Sequence, residues 1–176
     1  MSAPAGPSAA ARSVVLGILG AELALLAVTG VALSVLYRPT GASSTTDALA
    51  AVHRFTAGLT WQTAVVAAIL LVAGRTPVLP GWRGRVHAAT LPVLAVAASV
   101  TGRLLPWSVL GLWAVEVGRS RHGFGVLLDD DIRFAVVGSA DVAPATLFRW
   151  LIVHALVLGP ALIAATALAW RARGQH

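Results

Sequence analysis

A chain of 176 residues that is 57% hydrophobic and only 11% charged, with a mean hydropathy of +0.82, lacks the polar surface a soluble domain of this size needs, and reads as an integral membrane protein. It contains no cysteine, which excludes disulfides, thiolate metal sites, iron–sulfur clusters and thioether-linked haem. Every basic side chain is an arginine, and the net charge of +6, which in a soluble protein would point to nucleic acid, is here better explained by membrane orientation, so no nucleic-acid partner is expected.

Residues 1–13, MSAPAGPSAAARS, are small and proline-rich and are expected to form a disordered tail. The apolar run 14–37 that follows is broken only by Glu22. It mimics a signal peptide, but it is too long and has no clear A-x-A exit, so it is read as an uncleaved first helix. A second span runs from about Ala48 to Ala73, introduced by SSTTD, a cluster of helix N-cap formers. A third covers roughly Val86 to Trp107 and holds Pro92, which would kink it. The loop of about 40 residues that follows contains WSVLGLWAVEVG, a segment suited to the membrane interface. The acidic run 129–131 reads as a solvated turn. The fourth span is 147–170, with Pro160 as a second bend, and 172–176 is a tail. Each span meets the ~20 residues a bilayer requires. The pattern is all-α, an integral membrane four-helix bundle over residues 14–171.

Charge sets the orientation. Arg12, Arg75, Arg83, Arg85, Arg171 and Arg173 occupy the N-terminal tail, the loop between spans two and three and the C-terminus, with no acid among them. The opposite side mixes arginines with Asp47, Glu116, Asp129, Asp130, Asp131 and Asp141. The arginine-only side is expected to be cytoplasmic, which puts both termini inside a multi-pass protein of the cell inner membrane.

Two histidines fall at matching depth. His53 lies a turn or two inside the outer end of span two, and His154 about two turns inside the outer end of span four. Imidazoles so placed can ligate a b-type haem from opposite helices. The bland alternative is a pair of interfacial histidines bonded to backbone carbonyls or water. A haem between packed helices also needs small residues where the macrocycle meets backbone, and Gly17 and Gly30, Ala57 and Gly58, and Gly102 offer them. Arg54 and Arg149 are placed to meet haem propionates, or simply to snorkel to head groups.

Five motifs taken together carry a resemblance. LYRPT (36–40), VHRF (52–55), VTGRLLPW (100–107), GLWAV (111–115) and LFRWLIVH (147–154) occur in the order, and with the character, of the N-terminal four-helix part of cytochrome b, particularly its short b6 form. The chain resembles that family over residues 14–171. The resemblance implies a four-helix bundle with haem b between helices two and four, serving electron transfer to or from quinones. The family carries two histidines on each of those helices, about fourteen residues apart, and two stacked haems. Here the outer pair matches His53 and His154, but fourteen residues beyond them stand Ala67 and Leu168, with Ala169 next. One haem, on the outer side, is therefore expected, with His53 and His154 as its metal ligands.

The chain departs from the family in other ways. The loop after LYRPT is shorter, Ser108 and Val109 follow LPW where the family has polar residues, and the chain stops after helix four. Quinol bifurcation of the full-complex kind is therefore not expected. His87 stands in the zone of the missing haem, as a quinone contact, an unusual ligand or an interfacial polar residue. His122 reads as solvated and His176 as tail. Glu22, at mid-membrane, needs a partner such as Gln62 or a threonine, or else carries protons. No catalytic constellation appears. The expected function is a membrane b-type cytochrome subunit, not an enzyme by itself, passing electrons between membrane quinone and a redox partner on the outer face. The other readings are a structural subunit anchoring a respiratory complex and, further off, a transporter or sensor fragment.

Overall fold

A computed structural model describes residues 9–36, 44–74, 82–105 and 144–172 of the chain. The helices are α1 (Ala9–Leu36), α2 (Ser44–Ala73), α3 (Trp82–Leu104), α4 (Pro144–Leu151) and α5 (Gly159–Ala172), the last two joined by a π-helical stretch, Ile152–Leu158. These are the four expected helical spans, with α4, the π-helix and α5 forming the fourth. Three of them, Ala9–Leu36, Thr45–Ala73 and Phe148–Ala172, are long and apolar enough to cross a membrane. The α3 helix is long enough, but its first turns carry Arg83, Arg85 and His87, and it falls short in apolar character.

Helix α1 begins at Ala9, earlier than the expected Val14, so part of the presumed tail is helical. The reason is local: three consecutive alanines are the best helix formers available. Arg12 lies buried in this extension, and its guanidinium lies against Gly74, at the end of α2. A cation there complements the negative end of the α2 dipole. Helix α2 starts at Ser44, so the SSTTD cluster lies largely inside the first turn, with Asp47 where a negative charge is favoured. Pro92 sits within α3. Pro160 leaves a clearer mark. Its ring lacks an N–H and would clash with the Leu156 carbonyl in a regular helix, and the turns just before it are widened into the seven-residue π-helix. The interfacial segment 107–118, the acidic run 129–131, His122 and His176 lie outside the described residues.

By packing, the chain divides into two units, residues 1–99 with 158–176, and residues 100–157. In the first, α1 packs along α2 and α5 around a single apolar core. Each helix supplies three buried residues at positions i, i+3 and i+7: Leu16, Leu19 and Leu23; Ala64, Ala67 and Leu71; Ala88, Leu91 and Ala95; Leu162, Ala165 and Ala169. This spacing keeps one helix face inward. Ordered by depth along helices that alternate in direction, the residues sort into three layers. Leu16 and Leu71 share a level with Ala88 and Ala169; Leu19 and Leu91 with Ala67 and Ala165; Leu23 and Leu162 with Ala64 and Ala95. Every level in this ordering holds two leucines and two alanines, so the buried volume is shared evenly along the helices. We call this half of the unit, which holds the N-terminus of α1, the proximal half. In the second unit the described parts are the last turn of α3, α4 and most of the π-helix.

Candidate functional site

The two histidines singled out by depth each meet a threonine–glycine pair on another helix. In the first unit, His53 of α2 reaches the distal part of α1, where its Nδ1 is hydrogen-bonded to Thr29 Oγ1 at 2.8 Å. The next residue, Gly30, lies against the ring: a Cβ added there would stand 3.4 Å from His53 Cε1. In the second unit, His154 of the π-helix reaches the end of α3, with Nδ1 bonded to Thr101 Oγ1 at 3.1 Å. A Cβ added at Gly102 would stand 2.9 Å from His154 Cε1 and 3.5 Å from both ring nitrogens. Both histidines are partly buried, and both threonines are buried. A Thr-Gly step thus presents a hydroxyl and a bare backbone to an imidazole twice over.

The other expected site residues are less engaged with protein. Arg54 and Arg149 are exposed, Arg149 in the last turn of α4. A Cβ at Gly58 would meet nothing within 4 Å among the described residues. Gly17 does not continue the Gly30 surface into a second cradle; it faces the Trp170 ring, and a Cβ added there would stand 3.6 Å from Trp170 Cζ3. The Ala57 carbonyl accepts a hydrogen bond from the Ser99 hydroxyl at 3.4 Å. Among the described residues no three metal-ligating side chains converge, so the donors on offer are single imidazoles.

The two remaining polar residues at membrane depth have structural partners. His87 Nε2 donates to the Ala165 carbonyl oxygen at 3.2 Å, tying α3 to α5. Its own carbonyl accepts from Thr90 at 2.7 Å. Glu22 Oε1 accepts from the Thr63 hydroxyl at 3.0 Å, the threonine beside the expected Gln62, while Oε2 is buried with no hydrogen-bond partner among the described residues.

Thr29 and Thr101 are not among the residues that the sequence singles out. The signal for them is in the chain: V-T-G occurs at 28–30 and again at 100–102, each time near the distal end of its helix.

No protein-family model matches the chain. Against curated proteins it is 31% identical over 157 residues to cytochrome b6 of Desmonostoc sp., a match covering 77% of this chain and 68% of that protein. The chain belongs to the cytochrome b6 family. Cytochrome b6 of Porphyra purpurea is 28% identical over 159 residues, covering 81% of this chain and 72% of that one. A shorter stretch of 78 residues is 41% identical to cytochrome b6 of Mastigocladus laminosus, covering 42% of this chain and 34% of the relative. With its long apolar helices, membership of this family makes the chain a multi-pass membrane b-type cytochrome of electron transfer.

Proposed function

We propose that the protein is the membrane subunit of an electron-transfer complex and carries one haem b, which His53 and His154 would hold through Nε2. The observation that carries this reading is the repeated Thr-Gly contact, which holds each imidazole by Nδ1 and keeps Cβ atoms away from the ring. The residues fit the group. Neutral imidazole is the right donor for haem iron, and glycine beside each ring is what close approach of a flat macrocycle to a helix demands. When bound, the haem supplies a one-electron couple at its iron. The protein's part is to fix both rings, exclude water with apolar helices and offer Arg54 and Arg149 to the propionates.

A single haem is supported by the proximal core. Ala67 and Ala169, near the spacing at which the family carries its second histidine pair, are buried in the leucine–alanine layers with relative exposures of 1% and 0%. Leu19 and Leu91, equally inaccessible, fill the same half. The His87 Nε2–H is already given to a backbone carbonyl, which supports a structural role for it rather than ligation. The electrons pass between membrane quinone and a redox partner on the outer face, the side on which the histidines are expected. An open apolar groove of about 440 Å³ along α1 and α5, lined by residues including Gly20, Ala24, Thr166 and Arg171, offers an apolar quinone a surface to approach.

The test is a reduced-minus-oxidised visible spectrum with haem-to-protein stoichiometry for the wild type, His53→Ala and His154→Ala. One low-spin haem b per chain, lost or turned high-spin in either variant, is the expected result. Two haems per chain would overturn the single-site reading. No haem in the wild type would overturn the electron carrier and leave a structural subunit that anchors a complex.

A further inference from the structure

His53 is bound to an oxygen whose one proton is already committed. Thr29 Oγ1 lies 2.8 Å from the Leu25 carbonyl oxygen, 3.3 Å from that of Leu26 and 2.8 Å from His53 Nδ1. A carbonyl oxygen can only accept, so the first two contacts take the hydroxyl proton. A threonine hydroxyl has no second proton to give, and what it still offers is a lone pair. The same donation to the carbonyl four residues back is made by Thr56 at 2.9 Å, Thr60 at 2.9 Å and Thr166 at 2.9 Å. Thr29 therefore follows the habit of hydroxyls on these helices, and the imidazole adapts to it.

We infer that Thr29 is a positioning residue that accepts the Nδ1–H of His53, fixes the neutral ring as its Nδ1–H tautomer and so puts the lone pair on Nε2. Its bearing on haem rests on the reading proposed above; the direction of the hydrogen bond does not. The bond and Gly30 constrain the ring from two sides, one at Nδ1 and the other at Cε1. An acceptor on the distal N–H makes an imidazole a stronger donor to a metal. Ferric iron gains more from that donation than ferrous iron does, so with haem bound Thr29 would lower the midpoint potential and tighten the ligand. Thr101 Oγ1 and His154 Nδ1 make the corresponding contact at the longer separation of 3.1 Å.

The test uses the full chain as purified, with Thr29→Val, which keeps the shape and removes the acceptor, and Thr29→Ser, which restores it. If the chain carries haem, Thr29→Val is expected to raise the midpoint potential and weaken haem retention by about 10-fold, the low end for losing such a partner, while Thr29→Ser returns both toward the wild type. An unchanged potential in the valine variant, or a serine variant that behaves like valine, would overturn the inference. If the wild type carries no haem, the haem reading has failed, but ring ¹⁵N NMR of His53 still decides the hydrogen bond. A protonated Nδ1 with an unprotonated Nε2 supports the assignment, and an unprotonated Nδ1 rejects it.

Discussion

In the proximal half of the first unit, small and large residues share one buried cluster: Ala67, Ala165, Leu19 and Leu91 all belong to it, with little or no exposure. At the histidines the small positions are Gly30 and Gly102, and what meets them is an imidazole edge, with a threonine hydroxyl one residue earlier. Small residues thus serve opposite ends in the two regions. Alanine and leucine share a closed cluster, and glycine stands where a Cβ would press on an imidazole edge. The difference teaches that an absent ligand pair is informative only with its surroundings. Ala67 and Ala169 do not line an open space; they are buried in the leucine–alanine cluster.

The largest effect that sharpens this contrast is expected at Leu19, which has 0% exposure. In lipid the transfer part of the cost is small, because a side chain leaving the core meets hydrocarbon anyway, and the unfilled cavity dominates. Leu19→Ala should destabilise the bundle by about 2 kcal/mol, toward the low end of the range for buried leucines. The same change at Leu25, which is 44% exposed on the helix exterior, should cost far less. Reversible unfolding in mixed micelles checks both, and equal losses would mean that the layers are not a packed core.

The histidine contacts are expected to respond in order of their clearance. A Cβ at Gly102 comes within 2.9 Å of His154 Cε1, so Gly102→Ala must displace the ring, whereas Gly30→Ala, at 3.4 Å from His53 Cε1, needs an adjustment of a few tenths of an ångström at most. Haem content and the low-spin fraction should therefore fall clearly in Gly102→Ala and only slightly in Gly30→Ala. The reverse order would show that the rings are not set by these glycines.

Much of this is legible in the residues alone. Hydrophobic runs locate four helical spans, with starts displaced by three to five residues, and depth singles out His53 and His154, each of which meets a threonine and a glycine of another helix. What escapes such a reading does so for physical reasons. The helical start at Ala9 reflects alanine propensity overriding a proline-rich neighbourhood. The π-helix comes from the ring of Pro160 acting on turns before it, and residue type alone does not distinguish a bend from a widened helix. Thr29 looks in the sequence like one more small polar residue in an apolar helix, since hydroxyls there commonly satisfy themselves on the preceding turn. Only its partner on α2 gives it a role, and the repeat of V-T-G is the available hint.

The smallest effect is expected at His87, and it separates the two regions most finely. Its Nε2–H meets the Ala165 carbonyl at 3.2 Å, so it contributes one hydrogen bond between α3 and α5 in the proximal half. An interhelical hydrogen bond in a membrane bundle is worth about 0.6 kcal/mol on average. The Ala165 carbonyl also lies within a continuous helix, where the backbone N–H four residues on can satisfy it when the imidazole goes. His87→Leu should therefore cost less than about 1 kcal/mol in the same unfolding assay and leave haem stoichiometry, spectrum and midpoint potential as in the wild type. A change in the spectrum on replacing His87 would tie the proximal half to the proposed haem and break the division between a half that packs and the two threonine-held histidines. Unchanged spectra with a small loss of stability would assign to this histidine the same work as the leucines around it, the holding together of helices.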